Sequence, residues 1–514
     1  MISNDIKRAV YKGGLNMTLL ESYKEKQNEI YNLNHAVGLM YWDLQTTAPK
    51  KAKEKLSNVI TYFSTEHFKK ATSDELYELV CKLSEKEEFD KLDDVMKFDI
   101  SRTKRDMDQM RRVPQDFYEE FVKTTTDSGI KWEEAKNAND WSLYEGPLGK
   151  TIEAVKKMQS YRNPDKKVYD ALIDDYEEGM TQETIDRVFG ELKEELVPLL
   201  DKILSCDQPD HSKFTMKVPA HEQAELCKFL VEYMGMDMDR FAQAETEHPF
   251  TTNMNRDDVR ITNHYYENEP ISAIFSAIHE GGHALFEQNI DAKYERTCGG
   301  SVNYMGLHES QSRFFENILG RNINFWKPIW PKVVEIVPEF KAVTLEEFVR
   351  EINHVENSLI RTEADELTYC LHVILRYEIE REIFINGLDV SELPKVWNAK
   401  MKELLHIDVP SDTKGVLQDM HWSDGSFGYF PSYLLGSIYD GMFLEALEKD
   451  MGSIDDILAA GDIKKITKWL AENIQQYGST RISSEVLEKV CHKELSAAPL
   501  IKYFKEKYAK VYGF

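Results

Sequence analysis

Cysteine is scarce in this chain of 514 residues, and no two cysteines form a Cys-x-x-Cys pair. Disulfide frameworks and structural zinc sites depend on closely spaced cysteines, so neither is expected to organise this fold. The sequence instead predicts reduced, mostly buried thiols in a cytoplasmic protein. The six cysteines are Cys81, Cys206, Cys227, Cys298, Cys370 and Cys491.

Long apolar runs and an excess of basic charge are also missing. No apolar stretch reaches the roughly eighteen residues that a membrane-spanning helix needs, and the N-terminus lacks the apolar segment of a secretion signal. The 64 lysines and arginines are outnumbered by 90 aspartates and glutamates, which gives a net charge of -26. Because nucleic-acid binding needs clustered basic residues, we expect neither a nucleic-acid nor a membrane partner.

Helical periodicity dominates the sequence that is present. From Met17 onward, apolar residues recur at three- and four-residue steps, which predicts amphipathic helices. Pro198 should kink or break the helix predicted over residues 181–204. No repeat or long linker divides the chain. We therefore predict an all-α fold, a mainly helical and cleft-containing single domain over residues 17–514, preceded by an N-terminal extension at residues 1–16.

Two local patterns refine this prediction. Residues 258–262 alternate with period two, with Val259 and Ile261 on one face, which predicts a very small β element whose edge could bind an extended peptide. Residues 344–387 predict one long helical region that begins at a capping box. Within that region Arg361 and Asp365 lie four residues apart, and their simplest interpretation is a surface ion pair worth about 0.3–0.5 kcal/mol.

The chemistry concentrates in the segment His279-Glu280-Gly281-Gly282-His283. On a helix, the two histidines share a face and can bind one metal ion, while the glutamate between them can act as general base. Two ordinary histidines on a helix remain the alternative. Because each glycine costs about 1 kcal/mol relative to alanine in a helix, we expect a substrate or another backbone to approach closely there.

A catalytic zinc site needs a third protein ligand. The metzincin class is excluded because Phe286 and Asn289 occupy the positions of its glycine and its third histidine. We predict Glu309, 26 residues after His283, as the third ligand, with an ordinary surface carboxylate as the plain alternative. Three further candidates for the ligand lie nearby, namely His308, Glu316 and Glu287.

The segment 415–433 is rich in glycine, aromatic and polar residues. Such a mixture can supply donors for an oxyanion and aromatic walls for a substrate, although a buried polar loop fits the composition equally well. Its polar and aromatic members of interest are Gln418, Asp419, His421, Trp422, Tyr429 and Tyr433.

Six short motifs between residues 248 and 433 resemble, in order, those of the Taq-type thermostable metallocarboxypeptidases. The Tyr41-Trp42-Asp43 segment extends the likeness toward the N-terminus, with departures at Leu44 and Ala48 that concern packing. The motifs are His248-Pro249-Phe250, Asp258-Val259-Arg260-Ile261-Thr262, the HEGGH segment, His308-Glu309-Ser310-Gln311, Ile360-Arg361-Thr362-Glu363-Ala364-Asp365, and Gly415-Val416-Leu417-Gln418-Asp419-Met420-His421-Trp422.

The resemblance implies a helical, cleft-shaped homodimer that removes single amino acids from peptide C-termini with broad preference. It assigns the metal to His279, His283 and Glu309, and catalysis to Glu280. His421 with Tyr429 or Tyr433 would stabilise the oxyanion. The substrate-binding residues implied by the motifs are Arg361, Arg260, Asp258, Gln418 and His248.

Two histidines and a glutamate suit Zn²⁺, with Co²⁺ or Mn²⁺ also compatible, at one ion per subunit. A fixed arginine such as Arg361 would select the free carboxylate of a peptide substrate. Two alternatives stay open: a related helical oligopeptidase that cuts internal bonds without such a clamp, and a non-catalytic peptide-binding scaffold. The intact Glu280 argues against the scaffold, which has no chemical need for a base.

Overall fold

A computed structural model of the protein describes residues 17–209 and 211–514, so the predicted extension at residues 1–16 lies outside the described residues. The predicted mainly helical fold with a small sheet is confirmed. The first helices are α1 (Leu19–Gln45), α2 (Lys53–Ala71), α3 (Asp74–Leu83), α4 (Lys86–Phe89), α5 (Asp94–Arg111), α6 (Gln115–Ala138), α7 (Ser142–Arg162), α8 (Val168–Asp174), α9 (Gln182–Leu204) and α10 (Ala220–Met234).

The remaining helices follow a three-stranded sheet. They are α11 (Pro270–Asn289), α12 (Met305–Arg313), α13 (Ile323–Trp326), α14 (Trp330–Ile336), α15 (Leu345–Ile352), α16 (Glu366–Phe384), α17 (Leu393–Leu405), α18 (Phe430–Met451), α19 (Ile454–Ala459), α20 (Ile463–Asn473), α21 (Ser483–Cys491) and α22 (Ala498–Tyr512). A π-helical segment, Phe314–Leu319, continues directly from α12. Such segments often occur at functional sites.

Helix α18 lies at the centre of the main hydrophobic core. Leu434, Leu435 and Leu447 are fully buried although they point to different sides of the helix. A helix that is apolar all round must be enclosed by other elements, and α18 packs against α12, α16 and α22. This packing fixes the position of α12, which carries one predicted metal ligand.

A second, smaller core joins the N-terminal helices α1, α3 and α5 around Tyr23, Val80 and Ile100. Helix α1 also lies against the sheet, because the Tyr31 hydroxyl donates to the Met254 carbonyl oxygen over 3.3 Å. The aromatic contacts of Tyr41 and Trp42 with Phe250 continue this interface.

The sheet has the order β1-β3-β2, with β1 (Phe241–Glu245), β2 (Thr251–Asn255) and β3 (Asp258–Asn263). The predicted strand at 258–262 is confirmed as β3, and Val259 and Ile261 form its buried face. The prediction of a free edge is wrong, because β3 pairs with β1 in parallel and with β2 in antiparallel orientation. An extended peptide could pair only with β1 or β2 in this sheet.

The prediction of one long helical region over residues 344–387 is also wrong, because the chain leaves the helix between α15 and α16. The capping box of Thr344 and Glu347 is present, but α15 ends at Ile352. Asp365 instead caps the start of α16 by accepting hydrogen bonds from the backbone of Leu367 and Thr368. Consequently Arg361 and Asp365 do not share a helix face, and the predicted ion pair between them is absent.

Helix α9 continues through Pro198, so the helix is not broken at this residue. The neighbouring Leu196, Leu200 and Ile203 are fully buried, and their packing compensates for the hydrogen bond that proline cannot donate. All six cysteines are free, as predicted, but only Cys227 and Cys370 are buried. Among residues 17–209 and 211–514, no helix combines the length and apolar character needed to cross a lipid bilayer.

Candidate metal centre and active site

The three predicted metal ligands lie together at the crossing of α11 and α12. His279, His283 and Glu309 each bring one ligand atom within 4.8 Å of the others. Glu309 Oε2 lies 3.9 Å from His279 Nε2 and 3.5 Å from His283 Nε2. Ligands about 2.1 Å from a tetrahedral zinc ion would lie about 3.4 Å apart. The three residues therefore fit a divalent metal ion.

Two charged residues orient two of these ligands, His279 and Glu309, whereas the buried Nδ1 of His283 has no hydrogen-bond partner among the described residues. His279 donates Nδ1–H to Glu316 Oε2 over 2.7 Å, which leaves Nε2 as the coordinating nitrogen. Arg313 Nε donates to Glu309 Oε1 over 2.7 Å, which leaves Oε2 directed toward the histidines. Glu316 lies in the π-helical segment that follows α12.

Glycines allow the helices around the site to approach closely. A Cβ atom on Gly282 would lie 2.6 Å from the Gln311 carbonyl oxygen and 2.7 Å from Ser312 Cα. On α18, a Cβ atom on Gly436 would lie 3.0 Å from the backbone nitrogen of Ser310. The expectation that another backbone approaches the glycines of the HEGGH segment is thus confirmed for Gly282.

Glu280, the predicted base, is buried beside the metal ligands. Thr251 Oγ1 lies 2.5 Å from its Oε2 and 3.0 Å from its carbonyl oxygen, so the first residue of β2 fixes the side chain. Burial raises the pKa of the Glu280 carboxyl group above its usual range. A raised pKa favours a group that first accepts a proton and then returns it.

The alternative ligands are engaged elsewhere. His308 Nε2 lies 3.1 Å from Glu287 Oε1, and its ring stacks on His283 at a centroid distance of 4.3 Å. Glu316 holds His279 on the nitrogen away from Glu309. The geometry therefore favours Glu309 over all three alternatives.

His421, Tyr429 and Tyr433 form one aromatic group, and its two tyrosines interact electrostatically with the predicted ligand Glu309. The ring centroids of His421 and Tyr429 are 5.5 Å apart, and those of Tyr429 and Tyr433 are 5.1 Å apart. Burial lowers the pKa of His421 to about 4, so its imidazole is neutral near neutral pH and retains one N–H donor. Tyr433 precedes Gly436 by one helical turn, which places its ring close to Glu309.

Arg361 belongs to a buried polar network behind this aromatic group. Its Nε and Nη2 donate to Asp419 Oδ1 at 3.1 and 2.8 Å, and its Nη1 donates to the Tyr369 hydroxyl at 3.0 Å. Its guanidinium carbon lies 5.2 Å from the Tyr433 ring centroid. Of the five N–H donors of the side chain, two on the Nη atoms have no assigned partner in this network.

Gln418 lies in the same network, but its amide is fully used by the protein. Its Oε1 accepts from the Arg361 backbone over 3.2 Å and from Arg376 Nη2 over 2.8 Å. Its Nε2 donates to the Lys414 carbonyl oxygen over 3.1 Å. These contacts identify Gln418 as a support of the Arg361 segment.

The remaining predicted substrate residues lie on or beside the sheet. Arg260 and Asp258 form a two-pronged ion pair, with both N–O distances at 2.7 Å. Arg260 lies on the opposite face of β3 from the buried Ile261 and stands 5.4 Å from the Trp42 ring centroid. His248 is exposed. Arg361 thus contacts Tyr433 of the aromatic group, whereas Arg260 contacts Trp42 of α1.

Several residues of the site were not singled out from the sequence. Arg313 follows Glu309 by four residues, a spacing that does predict pairing on a helix. Thr251 immediately follows the His248-Pro249-Phe250 motif but carries no signal of its own, and Tyr369 lies within an apolar helix. The contacts of these last two residues depend on tertiary packing.

Comparison with known proteins shows what kind of enzyme carries this arrangement. Residues 22–508 match the family described as Carboxypeptidase Taq (M32) metallopeptidase. Carboxypeptidase 1 of Bacillus subtilis (strain 168) is 40% identical over 485 residues, which cover 94% of this chain and 96% of that protein. Thermostable carboxypeptidase 1 of Thermus thermophilus is 34% identical over 502 residues, covering 95% of this chain and 98% of that protein.

The solved structure of the M32 carboxypeptidase from Deinococcus radiodurans R1 superposes with a TM-score of 0.93 at 33% identity, and covers 97% of this chain and 100% of that chain. Agreement in sequence and fold over this length decides against both the internally cutting oligopeptidase and the non-catalytic scaffold. The chain belongs to the carboxypeptidase Taq (M32) family of metallopeptidases, and it is a metal-dependent carboxypeptidase.

Proposed function

We propose that the enzyme binds one Zn²⁺ ion per subunit through His279, His283 and Glu309 and removes single amino acids, with broad preference, from peptide C-termini. The convergence of the three ligand atoms, with the outer faces of His279 and Glu309 each held by a second charged residue, carries this assignment. Co²⁺ or Mn²⁺ would suit the same ligands.

A bound divalent ion would lower the pKa of a water molecule and polarise the scissile carbonyl group. Glu280 takes the proton from that water and returns it to the leaving amine. Its buried position and its contact with Thr251 keep the carboxyl group in one orientation for both transfers. His421, with Tyr429 or Tyr433, donates a hydrogen bond to the carbonyl oxygen as negative charge develops on it.

Arg361 supplies the selectivity for a free C-terminus. Hydrogen bonds to Asp419 and Tyr369 hold the Arg361 guanidinium group in a fixed orientation. Two of its N–H donors are left for the substrate carboxylate. Gln418 and Arg376 hold the Arg361 segment in place. Arg260, Asp258 and His248 would contact substrate only farther along the cleft.

We further propose that residues 17–514 form a single cleft-containing domain, that the protein is a cytoplasmic homodimer, and that residues 1–16 are an extension of this domain. One contiguous core includes buried residues from Ala135 to Tyr508, and helix α1 of the smaller N-terminal core contacts the sheet through Tyr31. Both observations support the single domain. The homodimer and the location rest on the family resemblance and on the free cysteines.

Two variants test the assignment of the metal and the base. Glu309→Ala should lose both bound metal and activity, whereas Glu280→Gln should keep its metal and lose all but a few per cent of turnover, because only the proton transfers are removed. Metal content is measured by elemental analysis and turnover by mass spectrometry of a peptide ladder. Full metal occupancy with unchanged activity in Glu309→Ala would overturn this ligand set.

A further inference from the structure

Glu380 is a fully buried carboxylate outside the residues assigned above. It lies on α16 and is 0% exposed. Its Oε1 accepts from Trp422 Nε1 over 2.8 Å, and its Oε2 accepts from the backbone nitrogen of Gly428 over 2.8 Å and from the Tyr169 hydroxyl over 3.0 Å. A buried carboxylate is costly unless hydrogen bonds compensate it, and here three donors do so.

Two of these donors are direct neighbours of the proposed oxyanion donors. Trp422 follows His421 in sequence, and Gly428 precedes Tyr429. Glu380 therefore holds both ends of the turn that runs from residue 421 to residue 429. The rings of His421 and Tyr429 stand together at the ends of this turn, with centroids 5.5 Å apart.

The turn has little freedom to adopt another arrangement at Gly428. This residue has a φ of +82°, and a Cβ atom on it would lie 2.6 Å from the Leu172 carbonyl carbon. Leu172 belongs to α8, the helix that also supplies Tyr169. The carboxylate of Glu380 thus joins α8, α16 and the turn at one point.

We infer that Glu380 is a positioning residue that sets His421 and Tyr429 for their hydrogen bonds to the reacting carbonyl oxygen. This inference rests on the proposed oxyanion role of those two residues. Glu380 touches neither substrate nor metal ligand, so it acts only through the placement of the turn. Misplacement of an oriented catalytic group by about 1 Å can lower a rate about hundredfold.

Glu380→Gln is a specific way to release the turn. A glutamine has one acceptor oxygen, and its amide nitrogen donates only. If the nitrogen replaces Oε2 it faces the backbone N–H of Gly428, and if it replaces Oε1 it faces the indole N–H of Trp422. The backbone N–H of Gly428 and the indole N–H of Trp422 can only donate, whereas the Tyr169 hydroxyl can rotate and accept a hydrogen bond instead. One end of the turn therefore loses its anchor in either orientation.

The experiment measures kcat, KM and metal content of purified Glu380→Gln on a peptide with a free C-terminus. We expect kcat to fall about tenfold to hundredfold, with KM within about twofold of wild type and one metal ion per chain retained. The matched control is Asp99→Asn, which alters another buried carboxylate, bound to the Tyr23 hydroxyl and the Cys298 backbone, and should leave kcat unchanged. Folding of both variants is checked by thermal unfolding.

A double-mutant cycle separates positioning from a general loss of structure. In a His421→Ala or Tyr429→Phe background, Glu380→Gln should lower kcat by much less than in wild type, because the group that it positions is already absent. The inference is overturned if folded, metal-loaded Glu380→Gln keeps wild-type kcat while His421→Ala or Tyr429→Phe loses it. If all three variants keep wild-type kcat, the oxyanion assignment itself fails and the inference with it. Fully additive effects of the two substitutions on kcat would also overturn the inference.

Discussion

Two of the three predicted metal ligands, His279 and Glu309, are oriented by a second charged side chain on the face that points away from the site. Glu316 holds His279 through Nδ1, and Arg313 holds Glu309 through Oε1. Such outer contacts fix the tautomer of a histidine and the rotamer of a carboxylate before a metal binds. The arrangement predicts that metal affinity depends on Glu316, which lies outside the proposed ligand set.

Glu316→Gln should therefore weaken metal binding about tenfold to hundredfold, because a neutral amide orients and polarises the imidazole of His279 less strongly than a carboxylate. Competition with a chelator of known affinity measures this change. Glu287→Gln is the matched control, since Glu287 is a buried acid that contacts His308 and Asn253 in the same region. Equal metal affinities of wild type and Glu316→Gln would contradict the orienting role.

At the scale of whole elements, the site depends on how closely α11, α12 and α18 pack. Gly282 lets α11 contact the backbone of α12 at Gln311, and Gly436 lets α18 contact α12 at Ser310. A Cβ atom on Gly282 could not be accommodated without moving a helix backbone, and one on Gly436 would make a tight contact with Ser310 and Glu309. Since Glu309 lies on α12, a shift of this helix would also move a predicted metal ligand.

Gly282→Ala should consequently destabilise the protein by about 1–3 kcal/mol, the usual cost of overpacking, and should weaken metal binding. Chemical denaturation and metal titration measure the two effects. Gly190→Ala provides the control, because this helical glycine has nothing within 4 Å of the added Cβ atom and should gain about 0.5–1 kcal/mol. A stability of Gly282→Ala equal to wild type would show that the helices are not in such close contact.

The same elements show how far the sequence could predict this structure. The HEGGH helix, strand β3 and the capping box at Thr344 follow from local spacing, and all three are present. The break before α16 was missed because Asp365 is both an acid four residues after Arg361 and a helix cap, and only its backbone contacts distinguish the two. The pairing of Arg361 with Asp419 joins residues 58 positions apart, which no local pattern specifies.

At the scale of the whole molecule, Glu177 and Glu380 are two of the carboxylates that lie buried among hydrogen-bond donors. Glu177 accepts from the Gly306 backbone, Ser483 and Tyr439, and Glu380 accepts the three bonds described above. Burial raises the pKa of each group from 4.5 to about 7, despite these donors. Both groups therefore link the stability of the fold to pH.

The sign of this linkage follows from the raised pKa values. Between pH 4.5 and 7 the native state retains a proton that the unfolded state releases, so each group contributes stability that is complete below pH 4.5 and is lost as pH rises toward 7. The stability of wild type relative to Glu380→Gln should thus fall by about 1.4 kcal/mol per pH unit across this interval. Denaturant unfolding of wild type and Glu380→Gln at pH 5, 6, 7 and 8 tests this prediction. A stability difference between the two proteins that stays constant or grows with pH would contradict the raised pKa of Glu380.

We propose that the molecule's action on peptide ends rests on one buried arginine next to the aromatic group. Arg361 has two donors available and a fixed orientation, whereas Arg260 is paired with Asp258 on the far face of β3. Hydrolysis of a peptide bond requires neither arginine. Their replacement should therefore separate selectivity for the C-terminus from catalysis itself.

The most direct measurement compares a peptide with a free C-terminus and the same peptide with a C-terminal amide, using mass spectrometry to follow wild type, Arg361→Ala and Arg260→Ala. A charge-assisted hydrogen bond to a carboxylate is worth about 1.5–3 kcal/mol, so wild type and Arg260→Ala should cleave the free peptide at least about tenfold faster, one residue at a time. Arg361→Ala should lose this preference. Equal cleavage of both peptides by wild type, or an undiminished preference in Arg361→Ala, would contradict a carboxylate clamp at Arg361.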